Sequence, residues 1–425
     1  MNRGPRLPGV EDEGEPRVVV HVDMDCFYAA CERLKEPELE GEPVVVGMGY
    51  DHGETHGAVA TASYQAREYG VESAMPISQA LDALPRRAEL DDGEDPEGTG
   101  YYRPVDMDYY QEVGATVKEI LHDTAETVRE VSIDEAYLDV LDVGWAGGEV
   151  DELGERLKVR IREEVGVTAS VGIAPNMSAA KVASDFDKPD GLVVVRPGEV
   201  AEFLAPLDVS ELHGVGPVTA RELRERGIET AGDVAAADPR ALAEAFGERG
   251  RALHRRANGR DDRAVEPQGN PKSVSSESAF VEATADPETK REKVRDLAAE
   301  VAERATAKGA LYRTIGIKVV EPPFDVNTRA RSLPGPVDDP ELVEAVALDL
   351  LTEFETTTAR KLGVRVSKLE FGENEQSRLG SYADADPGGD AASGESGPSR
   401  DARRRHDGRS SRGQTTFGDF GDVGE

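Results

Sequence analysis

Two short acidic segments carry the residues best suited to chemistry. In RVVVHVDMD (17–25), Asp23 and Asp25 close an apolar run, and in VREVSIDEAYLDV (128–140), Asp134 and Glu135 lie at a turn between two apolar runs. A lone Asp at a strand end is usually a turn residue. Clustered acids at the ends of adjacent core strands are different, because burying unpaired carboxylates is unfavourable unless something compensates them. Divalent cations do so, and hard oxygen donors suit Mg²⁺ or Mn²⁺. Two such ions roughly 3.5–4 Å apart can bridge an attacking hydroxyl and a triphosphate in an in-line displacement.

The elements that must position these acids follow from the periodicity. The spacing predicts a strand over 17–25, a helix over 27–36, strands at 43–47 and 57–63, and helices at 64–70 and 73–84. Residues 89–100 read as an acidic surface insertion, followed by a long helix over 105–122 and two strands around a turn across 128–140. An amphipathic helix at 149–166 and a strand at 168–174 complete an α/β region spanning 17–205. Residues 206–262 carry short helices broken by Gly and no strand signal. Strands return in 271–372 as SVSSESAF, TIGIKVV and GVRVSKLEF, with helices at 287–308 and 339–358, which suggests a small α+β domain of two similar halves. Residues 1–16 read as a loose leader, and 373–425 as a disordered acidic and polar tail.

Composition narrows the setting. The 425 residues include 85 acidic and 50 basic side chains, a net charge of −35. Such an excess reads either as solvated surface and tails or as adaptation to very high salt, where screening shortens charge repulsion to ~3 Å at 1 M. Cys26 and Cys31 are too few for a disulfide framework or a zinc site and read as reduced core residues. No stretch approaches the ~18 apolar residues of a membrane span, so a soluble cytoplasmic protein without a membrane partner is expected. Asn176-Met-Ser is formally a glycosylation sequon, but nothing suggests secretion. His21 reads as a core or strand-end histidine rather than a ligand.

HVDMDCFYA and SIDEAYLDV resemble the two metal-binding motifs of Y-family DNA polymerases, with the DinB type most similar. GAVATASYQAREYGV (57–71), SVGIAPNMSAAKVASDFDKPDG (170–191) and LHGVGPVTARELRERGI (212–228) resemble further segments of that family in the same order. The resemblance spans 17–372 and implies a right-hand polymerase: palm and fingers in 17–205, a helix-hairpin-helix thumb in 206–262 and a little-finger domain in 271–372. It implies error-tolerant, template-directed addition of dNTPs to a primer 3′-hydroxyl on primed DNA, without a proofreading exonuclease; the oligomeric state stays open, a monomer recruited to a ring being the simplest expectation. Asp23, Asp134 and Glu135, with the Met24 carbonyl, match the ligands of two Mg²⁺ ions. Asp25 is typical of the family in a supporting role, and Ser132, beside the acids, is a candidate to support them.

Phe27 and Tyr28 match the aromatic pair beneath the incoming sugar, Tyr28 as a steric gate against a 2′-hydroxyl; core packing is the alternative for Phe27. Tyr64 and Arg67, at i and i+3 on one helix face, would meet the triphosphate, with Thr61 and Lys188 beside them. Gly214 and Gly216 match the DNA-binding hairpin. Lys318, Arg329, Arg331, Arg365 and Lys368 lie on or beside the little-finger strands, where they would line DNA. QTTFGDF (414–420) resembles the peptide that binds the sliding clamp PCNA, through Gln414, Phe417 and Phe420. Two alternatives are a catalytically inactive relative acting as a DNA- or clamp-binding scaffold, which would have lost metal carboxylates, and another two-metal palm enzyme such as a nucleotide cyclase.

Overall fold

The computed structural model describes residues 16–91 and 93–372, which divide between Gly269 and Asn270 into two compact units. The first is built on five strands: β1 (Val18–Met24), β5 (Thr127–Glu130), β6 (Glu135–Val140), β7 (Ala169–Ala174) and β8 (Leu192–Val194). Their order is β5-β6-β1-β7-β8, so β1 is central and pairs antiparallel with both β6 and β7. Strand alternation sorts β1 into two faces. Val18, Val20, Val22 and Met24 enter a core shared with Val113 and Val117 of helix Met107–Thr124 and Leu157 and Ile161 of helix Glu149–Val165. Each fully buried valine of this kind contributes about 1.5–3 kcal/mol. Val19, His21 and Asp23 face the other way, toward helix Met177–Phe186.

That helix lies directly on β7. A Cβ on Gly172 would stand 2.1 Å from the Ala180 carbonyl oxygen and 2.3 Å from the Ser184 nitrogen, so only glycine permits the approach. The same core runs on to Leu212, Leu223, Leu242 and Leu253 of the following helical segment, whose helices are Pro217–Arg224, Ala231–Ala236, Pro239–Phe246 and Glu248–Ala257. A smaller sheet of β2 (Val44–Met48), β3 (Ala58–Ala62) and β4 (Tyr101–Pro104), ordered β3-β2-β4, has its own core with helices Tyr64–Glu68 and Ile77–Ala83.

The second unit contains β9 (Ser273–Thr284), β10 (Ala310–Glu321), β11 (Asp325–Val337) and β12 (Ala359–Phe371) in the order β11-β10-β12-β9. Helices Pro287–Ala307 and Pro340–Leu351 pack on one face. Each half is therefore strand–helix–strand. The expected two-half layout gains β11, an edge strand exposed along most of its length, which has no apolar alternation to betray it. Helix Ile77–Ala83 starts later than the expected 73, because Pro76 caps it. The second unit's last helix stops at Leu351, giving way to a 3₁₀ turn over Thr352–Phe354.

Candidate active site and nucleic-acid interface

The register of the central sheet brings the acids together. Asp23 on β1 stands opposite Glu135, the first residue of β6, and the Met24 amide donates to the Asp134 carbonyl at 2.9 Å. Ser132 holds the turn before β6: its hydroxyl donates to Asp134 Oδ1 and accepts from the amides of Asp134 and Glu135, at 3.3 and 3.1 Å.

Positive charge comes from helix Met177–Phe186 and the residues after it. Asn176 starts the helix, its side chain accepting from the Ala179 amide. Lys181 Nζ donates to Asp23 Oδ2 at 2.6 Å and to Glu135 Oε2 at 2.9 Å. Lys188 Nζ lies 2.7 Å from Asp23 Oδ1, and both lysines also reach Asp185, at 3.3 and 2.9 Å. Burial pushes the Asp23 and Glu135 carboxyls up, but their partners outweigh it. Lys181 and Lys188 bring Asp23 below the usual carboxylate range, and His21 with Lys181 brings Glu135 down to about 2. Asp134 moves the other way: burial raises it, the Ser132 hydrogen bond opposes, and the charges of Asp23 and Glu135 raise it further.

This donor set suits a hard divalent cation, and the Lys181 ammonium already sits between two of the carboxylates as a resident positive charge. Among the described residues, no three acid, histidine or cysteine side chains converge as a ready-made metal cage. A cation would have to displace the lysine from Asp23 and Glu135.

The supporting residues are fully engaged. Asp25 is buried and accepts from Ser170 Oγ at 2.8 Å, the Asp190 amide at 2.8 Å and Tyr64 Oη at 3.3 Å. Arg67 donates to the Ala62 carbonyl at 3.0 Å and lies 4.9 Å over the Tyr64 ring, while Thr61 sits on β3 opposite Val46. Tyr28 stacks on Tyr110 at 4.6 Å, and burial pushes its hydroxyl up to about 12. Phe27 is only 2% exposed: its ring belongs to the core, which leaves its backbone alone for any nucleotide contact. His21 is a buried core residue, hydrogen-bonded through Nδ1 to Ser184 Oγ at 2.8 Å with Nε2 3.5 Å from Glu135. Lys181, Ser184 and Asp185 were not singled out by sequence reasoning. The signal was there: Lys181, Asp185 and Lys188 recur at helical spacing after an Asn cap.

In the helical segment, Gly214 has φ 93 and Gly216 caps helix Pro217–Arg224. Arg249 donates to the Gly214 carbonyl at 2.7 Å and Arg256 to that of His213 at 3.1 Å, pinning the loop. In the second unit, register separates the five expected DNA contacts. Lys318 and Arg365 lie on the open sheet face, where Glu277 accepts from Lys318 at 3.0 Å and from Lys361 at 2.6 Å. Arg329 and Arg331 pair with Ile317 and Ile315 on the helix-covered face and reach Glu353 and Asp349. Lys368 sits at a positive-φ irregularity in β12. Gln414, Phe417 and Phe420 lie outside the described residues.

Family models match three stretches: the impB/mucB/samB family over 22–185, its helix-hairpin-helix motif over 197–228 and its C-terminal domain over 271–379. The chain is 61% identical over 391 residues to a DNA polymerase IV of Halobacterium salinarum, covering 91% of this chain and 93% of that protein. The chain belongs to the DinB-type Y-family DNA polymerases. A DNA polymerase IV of Methanoculleus marisnigri is 42% identical over 369 residues, 86% of this chain and 98% of its own. A solved Y-family DNA polymerase chimera of Dbh and Dpo4 superposes with a TM-score of 0.73 at 29% identity, covering 84% of this chain and all of its own. An insertion ternary complex of Dbh DNA polymerase gives 0.59 at 27% identity over the same shares. The three matched stretches order the chain as a Y-family region, its helix-hairpin-helix motif and its C-terminal domain.

Proposed function

We infer that this chain is a DNA-directed DNA polymerase of the low-fidelity, translesion type, adding dNTPs to a primer 3′-hydroxyl on primed template DNA. The observation that carries the reading is the register of Asp23 against Glu135, with Asp134 in the adjoining turn, in a chain 61% identical to a DNA polymerase IV. All three carboxylates stand, so nothing favours an inactive scaffold. A cyclase would need neither the helix-hairpin-helix segment nor the second unit.

Asp23, Asp134 and Glu135, with the Met24 carbonyl, would hold divalent cations, Mg²⁺ by donor hardness. Bound there, the ions would supply electrostatic stabilisation of the charge developing in phosphoryl transfer. The chain's own groups divide the remaining work. Lys181 and Lys188 keep Asp23 ionised, and Lys188 and Arg67 supply positive charge toward a triphosphate. Tyr28, propped against Tyr110, presents a rigid ring to the sugar. The hairpin at Gly214 and Gly216 meets duplex phosphates through backbone amides. Lys318 and Arg365 on the open sheet face, together with Arg329, Arg331 and Lys368, supply charge toward the DNA backbone in the second unit. Gln414, Phe417 and Phe420 would engage a sliding clamp.

Primer extension across a KCl series tests the reading. Extension by the native chain, lost in the Asp134→Ala, Glu135→Ala double variant, is expected. No extension by the native chain at any salt, with folding and DNA binding intact, would overturn it.

A further inference from the structure

Among the described residues many cations are tied to carboxylates: Arg162 to Asp190, Arg224 to Asp208, Arg263 to Asp261. The groove between helices Pro239–Phe246 and Glu248–Ala257 departs from that habit. Its ionisable lining is Arg240, Arg251, His254 and Arg255 against a single acid, Glu244. Arg251 pairs with neighbouring Glu248, whereas Arg240 and Arg255 have no carboxylate partner among the described residues.

Helix Glu248–Ala257 sends its arginines to opposite sides. Arg249 and Arg256 pin the hairpin carbonyls and Leu253 enters the core, which leaves Arg251 and Arg255, at i and i+4, side by side in the groove. Such like-charged neighbours are mutually repulsive. The helix C-terminus softens this for Arg255, whereas Arg240 occupies the first turn of its own helix, where the positive dipole end opposes a cation and the Asp238 cap offsets only part of that. Gly250 holds the two helices together, since a Cβ there would lie 2.1 Å from the Leu242 carbonyl oxygen. The result is a preformed concavity of about 490 Å³ that presents the side chains of Arg240 and Arg255 without carboxylate partners among the described residues. Asp238 caps the backbone of the first helix, and Glu248 holds Arg251.

We propose that this groove is a second nucleic-acid site, which takes the phosphodiester backbone of a single strand independently of the acidic centre. An anion would relieve both the Arg251–Arg255 repulsion and the misplaced charge of Arg240. The lining contains no aromatic ring beyond the His254 imidazole, so the site reads phosphates rather than stacked bases and has no sequence preference.

The test uses the full chain saturated with unlabelled primed template, titrated with a short fluorescein-labelled oligothymidylate and followed by anisotropy. Arg240→Gln with Arg255→Gln is expected to weaken oligonucleotide binding and to reduce the slope of log K against log salt by about 1.4, two phosphates' worth for a single strand. Primer extension should be unchanged in that variant. The Asp134→Ala, Glu135→Ala variant should keep oligonucleotide binding, which separates failure of this site from failure of the polymerase reading. Unchanged oligonucleotide affinity in the arginine variant, with its fold confirmed by circular dichroism, overturns the proposal. So does full displacement of the oligonucleotide by sub-millimolar inorganic pyrophosphate, which would make the groove a free-phosphate site.

Discussion

Lys181 satisfies two half-buried carboxylates with one charge, so removing it separates its structural role from its effect on metal binding. With Lys181→Ala, Glu135 keeps only the long His21 contact and Asp23 keeps Lys188. Breaking a fully buried pair costs about 3–5 kcal/mol, and partial exposure here brings the expected loss nearer ~2 kcal/mol. That loss should appear in thermal melts in EDTA and shrink when Mn²⁺ is added, because the cation no longer competes with an ammonium and stabilises by mass action. An equal loss in both media would show that Lys181 is a plain structural strut. Tyr28 supports a different expectation. Its ring is held by Tyr110 rather than by a hydrogen bond that shortening would break, so Tyr28→Ala should leave the fold intact. It should raise incorporation of ribonucleotides relative to deoxyribonucleotides in single-turnover extension. Unaltered sugar discrimination would remove Tyr28 from the gate.

The hairpin loop before helix Pro217–Arg224 carries a pH signature. His213 is held down to about 4, first by burial and then by the charges of Arg256 and Arg263, and its Nδ1 has no hydrogen-bond partner among the described residues. The unfolded chain protonates this histidine near pH 6.5, but the folded chain does so only near 4. Stability is therefore lost as pH falls between those values and levels off below, by on the order of 2–3 kcal/mol. His213→Gln should flatten denaturant midpoints over that window; an unchanged slope would exclude His213 as its source. This element also shows what the sequence made legible. Gly214 and Gly216 announced a hairpin, but the arginines that pin it come from Arg249 and Arg256, whose partners are backbone carbonyls that no side-chain pattern encodes. β1 was readable because a valine-rich run ended in acids, and Asp134 and Glu135 because apolar runs flank their turn; the register that sets Asp23 opposite Glu135 depends on strand pairing that no single segment encodes. β11 was not readable, since an exposed edge strand carrying Pro334 and Gly335 has no period to detect. Lys181 carried a signal in its spacing to Asp185 and Lys188, but the carboxylates it meets, Asp23 and Glu135, depend on how its helix packs across the sheet, which no local pattern encodes.

At the scale of the whole molecule, 85 acidic against 50 basic residues set two salt effects against each other. Self-repulsion among carboxylates reaches about 10 Å at 0.1 M salt and only about 3 Å at 1 M, so the folded state should gain stability as KCl rises. DNA binding ordinarily falls over the same range, because each phosphate contact releases a condensed counterion, with a slope near −0.9 per contact. Internal pairing moderates that loss. In the second unit, Lys318 and Lys361 are held by Glu277, Arg329 by Glu353 and Arg331 by Asp349, so a phosphate arriving at these cations exchanges for a carboxylate as well. The freed carboxylate takes up a cation from solution, which offsets the cation released from DNA. Primed-template affinity measured by anisotropy should thus fall with KCl more gently than the number of basic contacts implies. Glu277→Gln, which frees two lysines at once, should bind more tightly at low salt and steepen the slope. A native slope already matching the full count of contacts, unchanged by Glu277→Gln, would mean that these pairs do not compete with DNA. The same repulsion leads to the expectation that folding and extension require molar KCl, and full extension activity at about 50 mM KCl, where screening is weakest, would contradict it.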